Sequence, residues 1–372
     1  MTIGFDAKRA YTNASGLGSY SRTLIKSVSQ YYPANQFDLY TPKLGDNKFE
    51  EYVDSHDNMH TIQPQSFVDT KLKFKWRSYE ITHLLNKSNA DVYHGLSNEL
   101  PVNIKQFKGK KVVTIHDLIF LRYPKLYPFI DAKIYNKKFK DACINADIII
   151  AISEETKKDI IHYYGIAPDK IQVVYQSCNE LFYQDIADET INRVKSKYKL
   201  PENYLFYVGT IEERKNLLTL VKSLTRVKDI PLVVAGRKTA YFEKVASYLK
   251  ENGLENRVLF LDSVHSDDLP SLYHLANLFV LPSILEGFGI PIIEALTCKT
   301  PVITSQGGCF PETGGEGSIY INPLDVNELS EKINFVLNSS QEQERMIIAG
   351  VNHAQTFHPK KITNQLLKIY QS

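Results

Sequence analysis

The chain has 372 residues, more than one ordinary domain holds, which predicts two. Hydrophobic residues make up 43% and charged residues 23%, a globular balance that excludes extensive disorder. The 44 basic and 42 acidic residues leave a net charge of +2, which excludes general polyanion binding and leaves no expectation of a nucleic-acid partner.

Short β-rich runs alternate with helical stretches from end to end, the pattern of parallel sheets built from βα units. TIGFDA (2–7), FDLYT (37–41), DVYHG (91–95), KVVTIHD (111–117), DIIIAIS (147–153) and KIQVVY (170–175) read as strands. Helices are expected over 17–31, 72–87, 132–145 and 154–163. A polar seam near 176–200 divides the chain. Beyond it, YLFYVG (204–209), PLVVAG (231–236), RVLFLD (257–262), NLFVLP (277–282) and TPVITS (300–305) read as strands. Helices are expected over 216–228, 240–252, 266–276, 291–298, 326–338, 341–357 and 359–371. Ser266 is a candidate N-cap, and Asp325 with Glu328 reads as a capping box. The predicted organisation is an N-terminal domain over 1–180, a C-terminal domain over 181–356, and a closing helix over 357–372 that returns to the first domain. Two doubly wound, Rossmann-like α/β units in tandem imply a cleft between their ligand-bearing strand ends.

The most informative stretch is ILEGFGIPIIEAL (284–296). Gly287, Phe288 and Gly289 carry the chain from a buried strand into a helix opened by Pro291. A glycine-fronted helix start favours a phosphate, and Glu286 and Glu294 bracket it with hydrogen-bond acceptors of the kind sugar and ribose hydroxyls require. In GTIEERKNL (209–217), Gly209 and Thr210 end a strand, and Arg214 and Lys215 precede a helix, an arrangement suited to a diphosphate. Gly16 and Gly18 in SGLGSY (15–20) occupy the position of a phosphate-binding turn, but no full GxGxxG is present, so a nicotinamide site is poorly supported. His116, at the end of VTIHD (113–117), is placed to bond a sugar hydroxyl or to shelter charge near an anomeric carbon. No Asp-x-Asp pair occurs, so no metal or other cofactor is expected; Arg214, Lys215 and backbone amides would carry the leaving group's charge. His56 and His60, in DSHDNMH, read as surface residues of a polar loop.

Cys143, Cys178, Cys298 and Cys309 form no CxxC pair, which points to reduced thiols in a cytoplasmic protein. MTIGFDAKRA lacks the apolar core of a secretion signal, and the longest apolar runs are too short to span a bilayer. KLKFKWR (71–77), KQFKGKK (105–111) and KIYNKKFK (133–140) concentrate basic charge in the first half. Each is either a solvated face or a peripheral contact with an anionic membrane surface.

Taken together, IGFDAKRA…SGLGSYSRTL, VVTIHDLIFLRYP, AISEETKKDI, YVGTIEERKNL and SILEGFGIPIIEALTCKTPVITS resemble the retaining glycosyltransferases of family 4, with bacterial mannosyltransferase-like features in TIHD and RKN. The resemblance implies the GT-B fold, two such domains facing across a cleft. It implies transfer of a sugar, with mannose from GDP-mannose the best match, to a saccharide or lipid-linked acceptor during cell-surface polysaccharide or lipopolysaccharide assembly. In that scheme Glu286 contacts the transferred sugar near the amides of Phe288 and Gly289, and Glu294 holds the ribose. Arg214 and Lys215 bind the diphosphate, Gly16 and Gly18 approach it, and His116 touches the donor sugar. The first domain takes the acceptor and the second the nucleotide-sugar. Thr210 and Lys299 stand where relatives often carry Arg and Gly, and Cys178 lies in an unusual seam. A UDP-sugar donor, a nucleotide-sugar epimerase and a non-catalytic binding subunit are the alternatives. The acceptor is expected on loops 42–75 and 118–130, which carry no readable code.

Overall fold

The computed structural model describes residues 1–13, 15–45, 47–65, 72–227 and 229–372, so Lys71 and parts of loop 42–75 lie outside the described residues. The chain forms two compact units: Met1–Ser177 with Pro359–Ser372, and Cys178–His358.

Unit 1 is built on a parallel sheet of β1 (Thr2–Asp6), β2 (Gln36–Tyr40), β3 (Met59–Ile62), β4 (Val92–Gly95), β5 (Lys110–Ile115), β6 (Ile148–Ala151) and β7 (Ile171–Val173). Their order is β3-β2-β1-β4-β5-β6-β7, so the sheet reverses direction of growth between β1 and β4. A short helix α1 (Lys8–Thr12) leads into α2 (Gly16–Tyr31), and α3 (Phe129–Asn145) lies between β5 and β6. β3 is a strand that the sequence reading assigned to a polar loop; His60 lies on it, exposed, with its Nε2 3.1 Å from Gln36 Oε1.

The closing helix Pro359–Gln371 belongs to unit 1 because its apolar stripe needs a partner. Ile362, Leu366, Ile369 and Tyr370 recur at helical spacing and bury against Ile3, Phe5, Leu24 and Val28. The Tyr370 hydroxyl pairs with His94 Nδ1 at 2.7 Å, and Lys110 Nζ donates to the Ile369 carbonyl at 3.0 Å.

The expected helix over 72–87 is interrupted by a π turn at Trp76–Glu80. That extra residue per turn buries Trp76 and directs Arg77 to the carboxyl end of β1. There Arg77 Nη2 meets buried Asp6 at 2.5 Å, and Nη1 meets Glu99 at 2.6 Å. Burial alone would raise the Asp6 carboxyl, but Arg77 outweighs it and holds the group ionised below its ordinary range.

Unit 2 holds β8 (Leu205–Val208), β9 (Leu232–Ala235), β10 (Val258–Leu261), β11 (Leu278–Leu281), β12 (Val302–Ser305) and β13 (Ser318–Ile321). The order is β10-β9-β8-β11-β12-β13, parallel throughout, with its switch point between β8 and β11. Phe206, Tyr273 and Phe279 fill its centre, with Phe206 and Tyr273 edge-on at 5.0 Å. β13 was unassigned from sequence. Two caps differ from expectation. His265, not Ser266, caps the short 3-10 turn Ser266–Asp268. Asp325 accepts from the amides of Asn327 and Glu328 as a box requires, whereas Glu328 reaches the amide of Asn322 instead of returning to the cap.

Replacing Arg77 by Met removes the only cation bonded to buried Asp6 among the described residues. Breaking one side of such a pair costs about 3–5 kcal/mol. Urea unfolding of R77M is expected to show a loss of that order, and an unchanged midpoint would contradict the ion-pair account.

Candidate active site

The switch point of the second sheet is where the chemistry-bearing residues of unit 2 converge. Gly209 and Thr210 follow β8, and a 3-10 turn at Glu213–Lys215 leads into α4 (Leu217–Ser223). Asn216, at φ +56°, makes the reversal. Its side-chain amide donates to the carbonyls of Pro282 at 3.0 Å and Pro323 at 2.6 Å, tying the turn to the segments after β11 and β13. The Ile284 amide donates to the Arg214 carbonyl at 2.8 Å, a second stitch.

This stitching brings Arg214, Lys215 and Glu286 together. Arg214 Nη1 donates to Glu286 Oε2 at 2.9 Å and to the Leu285 carbonyl at 2.6 Å; Nη2 pairs with Glu212 at 2.7 Å. Lys215 Nζ donates to the other oxygen, Glu286 Oε1. The Glu286 side chain is 8% exposed, so the pairing takes place largely out of water. Burial pushes its carboxyl up, but Lys215 and Arg214 reverse that and hold it at about 2.

Gly287, Phe288 and Gly289 then turn into α5 (Ile290–Thr297). Gly289, at φ +104°, supplies a backbone conformation that side chains rarely adopt. Phe288 is buried with its ring edge-on to Phe357 at 5.6 Å, so its side chain anchors the turn and only its backbone is available to a ligand. The Cys309 thiol donates to the carbonyls of Glu286 at 3.3 Å and Phe288 at 3.1 Å, fastening the turn from inside. Glu294 sits one turn into α5, half-buried, and accepts from the Tyr273 hydroxyl at 2.8 Å. Burial raises its pKa to about 7, with the tyrosine bond opposing. Unit 2 thus carries one ionised carboxylate locked to two cations and a second poised near neutrality.

In unit 1, Gly16 and Gly18 open α2, one short helix later than the strand-to-helix turn expected. A Cβ on Gly18 would lie 1.7 Å from the Asn13 carbonyl, so the turn admits only glycine there. Arg22 fastens the same turn through the carbonyls of Ala10 and Asn13, both at 2.9 Å. His116 follows β5 and packs edge-on against Tyr20 of α2 at 4.7 Å. The sequence places its imidazole to bond a sugar hydroxyl or to shelter charge; in the structure both ring nitrogens already have partners. Nε2 donates to the Leu96 carbonyl at 2.8 Å, and Nδ1 accepts from the Gln176 amide at 3.0 Å. Burial, assisted by nearby Arg9, lowers its pKa to about 4, so the ring is neutral at pH 7. Asn216, Tyr273 and Gln176 were missed. An Asn directly after Arg-Lys was a signal for the first; the other two become visible only when strands from distant sequence align.

Residues 16–179 match the family model Glycosyltransferase Family 4, and residues 188–353 match Glycosyl transferases group 1. With two parallel-sheet α/β units of seven and six strands, the protein is a GT-B glycosyltransferase. It belongs to family 4 in its first half and to group 1 in its second. The chain is similar to O-antigen chain mannosyltransferase B of Escherichia coli, 27% identical over 390 aligned positions and covering 100% of both chains. It is 31% identical to O-antigen chain mannosyltransferase RfbU of Salmonella typhimurium over 58% of this chain and 57% of that one. The crystal structure of Anabaena Alr3699/HepE in complex with UDP-glucose shares the fold, with a TM-score of 0.77 at 17% identity over 100% of this chain and 99% of that chain.

The two carboxyls predict opposite pH responses. Glu294 rises from an ordinary 4.5 to about 7 on folding, so its stability contribution grows as pH falls from 7 toward 4.5. Glu286 falls from 4.5 to about 2, so its contribution is complete above 4.5 and is lost as pH drops through 2. Carboxyl carbon NMR is expected to show Glu294 titrating near 7 and moving higher in Tyr273→Phe. A Glu294 midpoint in the ordinary range would contradict the geometry.

Proposed function

We propose that the protein transfers mannose from GDP-mannose to a hydroxyl of a saccharide or lipid-linked acceptor during cell-surface polysaccharide synthesis, with retention of anomeric configuration. The observation that carries this reading is the Arg214–Lys215–Glu286 cluster at the switch point of a parallel sheet. The mannosyltransferase names of the relatives at 27% and 31% identity support the choice of sugar.

A diphosphate entering this point draws Lys215 and Arg214 toward its oxygens, assisted by the positive end of α5. Glu286 then exchanges part of its grip on the cations for hydroxyls of the transferred sugar. As the anomeric C–O bond breaks, its electron pair passes to the departing phosphate oxygen, whose growing charge the two cations stabilise. The acceptor hydroxyl attacks from the same face, and its proton goes to that phosphate oxygen. No metal ion is needed in this scheme. Glu294 takes the ribose hydroxyls as a carboxylate. Unit 1 is assigned the acceptor. A sugar hydroxyl reaching His116 would displace the Gln176 amide from Nδ1.

Glu286→Gln is expected to reduce transfer at least about 100-fold, the scale of removing a group that acts on the transition state. Wild-type turnover in that variant would refute the assignment. Thermal stabilisation and slow hydrolysis across GDP-, UDP- and ADP-sugars test the donor: GDP-mannose should lead, and a UDP-sugar in first place would replace it. Transfer should persist in chelator. Because ribose binding favours the Glu294 carboxylate, donor affinity should weaken as pH falls below about 7, by at most about tenfold per unit. Glu294→Gln should flatten that dependence.

A further inference from the structure

We propose that unit 1 docks on an anionic bilayer surface through the outward face of α3, without inserting a span. At about 100° per residue, roughly 140° of this helix's circumference holds four exposed apolar side chains, Phe129, Ile130, Ile134 and Ile144. Phe129 and Ile130 are 72% and 71% exposed, far beyond what isolated surface residues of this size need. Exposed Lys133, Lys137 and Lys140 are interleaved on the same arc, with Asp141 its one acid. The opposite face, through Phe139, Ala142 and Cys143, is buried in the core of unit 1 and holds the helix in place.

The patch continues onto a second element. Phe74 is 69% exposed, and Lys138 Nζ lies 5.4 Å from its ring centroid, while Lys133 Nζ lies 4.5 Å from that of Phe129. Leu72, two residues before it, is also exposed.

The mixture identifies the occupant. Protein–protein interfaces deplete lysine at their centres, because its ammonium resists desolvation. A lipid headgroup layer accepts both parts at once: apolar tips enter the acyl boundary while flexible lysine stems keep their charges among phosphates. Among the described residues no helix is long and apolar enough to cross a membrane, so the contact is a surface one.

Co-sedimentation of the full chain with vesicles tests this. Wild type should pellet with vesicles containing phosphatidylglycerol and remain in solution with pure phosphatidylcholine, and binding should fall with salt. Two double variants separate the contributions: Phe129→Ser with Ile130→Ser, and Lys133→Gln with Lys137→Gln. The lysine pair should weaken binding roughly 25-fold, at about fivefold per charge; the apolar pair should weaken it even at low salt. Thermal unfolding checks that each variant is folded, and if the apolar pair unfolds, the lysine pair and the salt response decide. No binding by wild type, binding unaffected by the folded variants, or a dimer in sedimentation velocity that the apolar pair dissociates would each overturn the proposal.

Discussion

A carboxylate buried to 8% exposure is tolerable only if its charge is answered, and at Glu286 it is answered twice, by Arg214 and Lys215. That requirement organises the second unit's site. The two cations lie on a turn after β8 and the acid on a turn after β11, strands that are neighbours in the sheet but far apart in sequence. Asn216 and the Ile284–Arg214 backbone bond hold those turns in register, and Cys309 steadies the acid's own turn. The cations are thereby fixed, desolvated and already paired. In the proposed reaction an incoming anion would compete with Glu286 and would not need to gather free lysines from solvent, which would reduce the reorganisation needed.

Glu294 shows the same physics with the opposite sign. Among the described residues no cation is bonded to it, so burial raises its pKa to about 7 and Tyr273 only moderates the shift. The eight-residue offset between the two glutamates therefore places them in two opposite electrostatic environments. One carboxylate stays ionised between its two cations. The other, bonded to the Tyr273 hydroxyl, is poised to change protonation near neutral pH.

Much of this was legible in the chain. The buried strands announce themselves through runs such as NLFVLP and DIIIAIS, because a parallel sheet covered on both faces leaves only apolar positions. The LEGFG turn and the RK pair could be placed at strand ends, and so could be suspected of meeting a common ligand. β3 and β13 escaped because MHTI and SIYI are four-residue edge strands whose mixed polarity resembles loop. The π turn at Trp76–Glu80 has no local signature, since its cause is the tertiary demand of Asp6 and Glu99 for Arg77. His116 was correctly located at the end of β5, but its partners, Leu96 and Gln176, come from the ends of other strands. Composition and spacing report where a side chain emerges; they do not report which nitrogen is already engaged.

The central claim is that the Arg214–Lys215 pair, held by Glu286, recognises the second phosphate of a nucleotide. Calorimetry of the best-binding nucleoside diphosphate against its monophosphate tests this most directly, in wild type and in Lys215→Met. The account predicts that the diphosphate binds at least about tenfold tighter in wild type, the scale of one charge-assisted hydrogen bond, and that the preference collapses in the variant. Equal affinity for the two nucleotides in wild type, or a preference unaltered by removing Lys215, would contradict it.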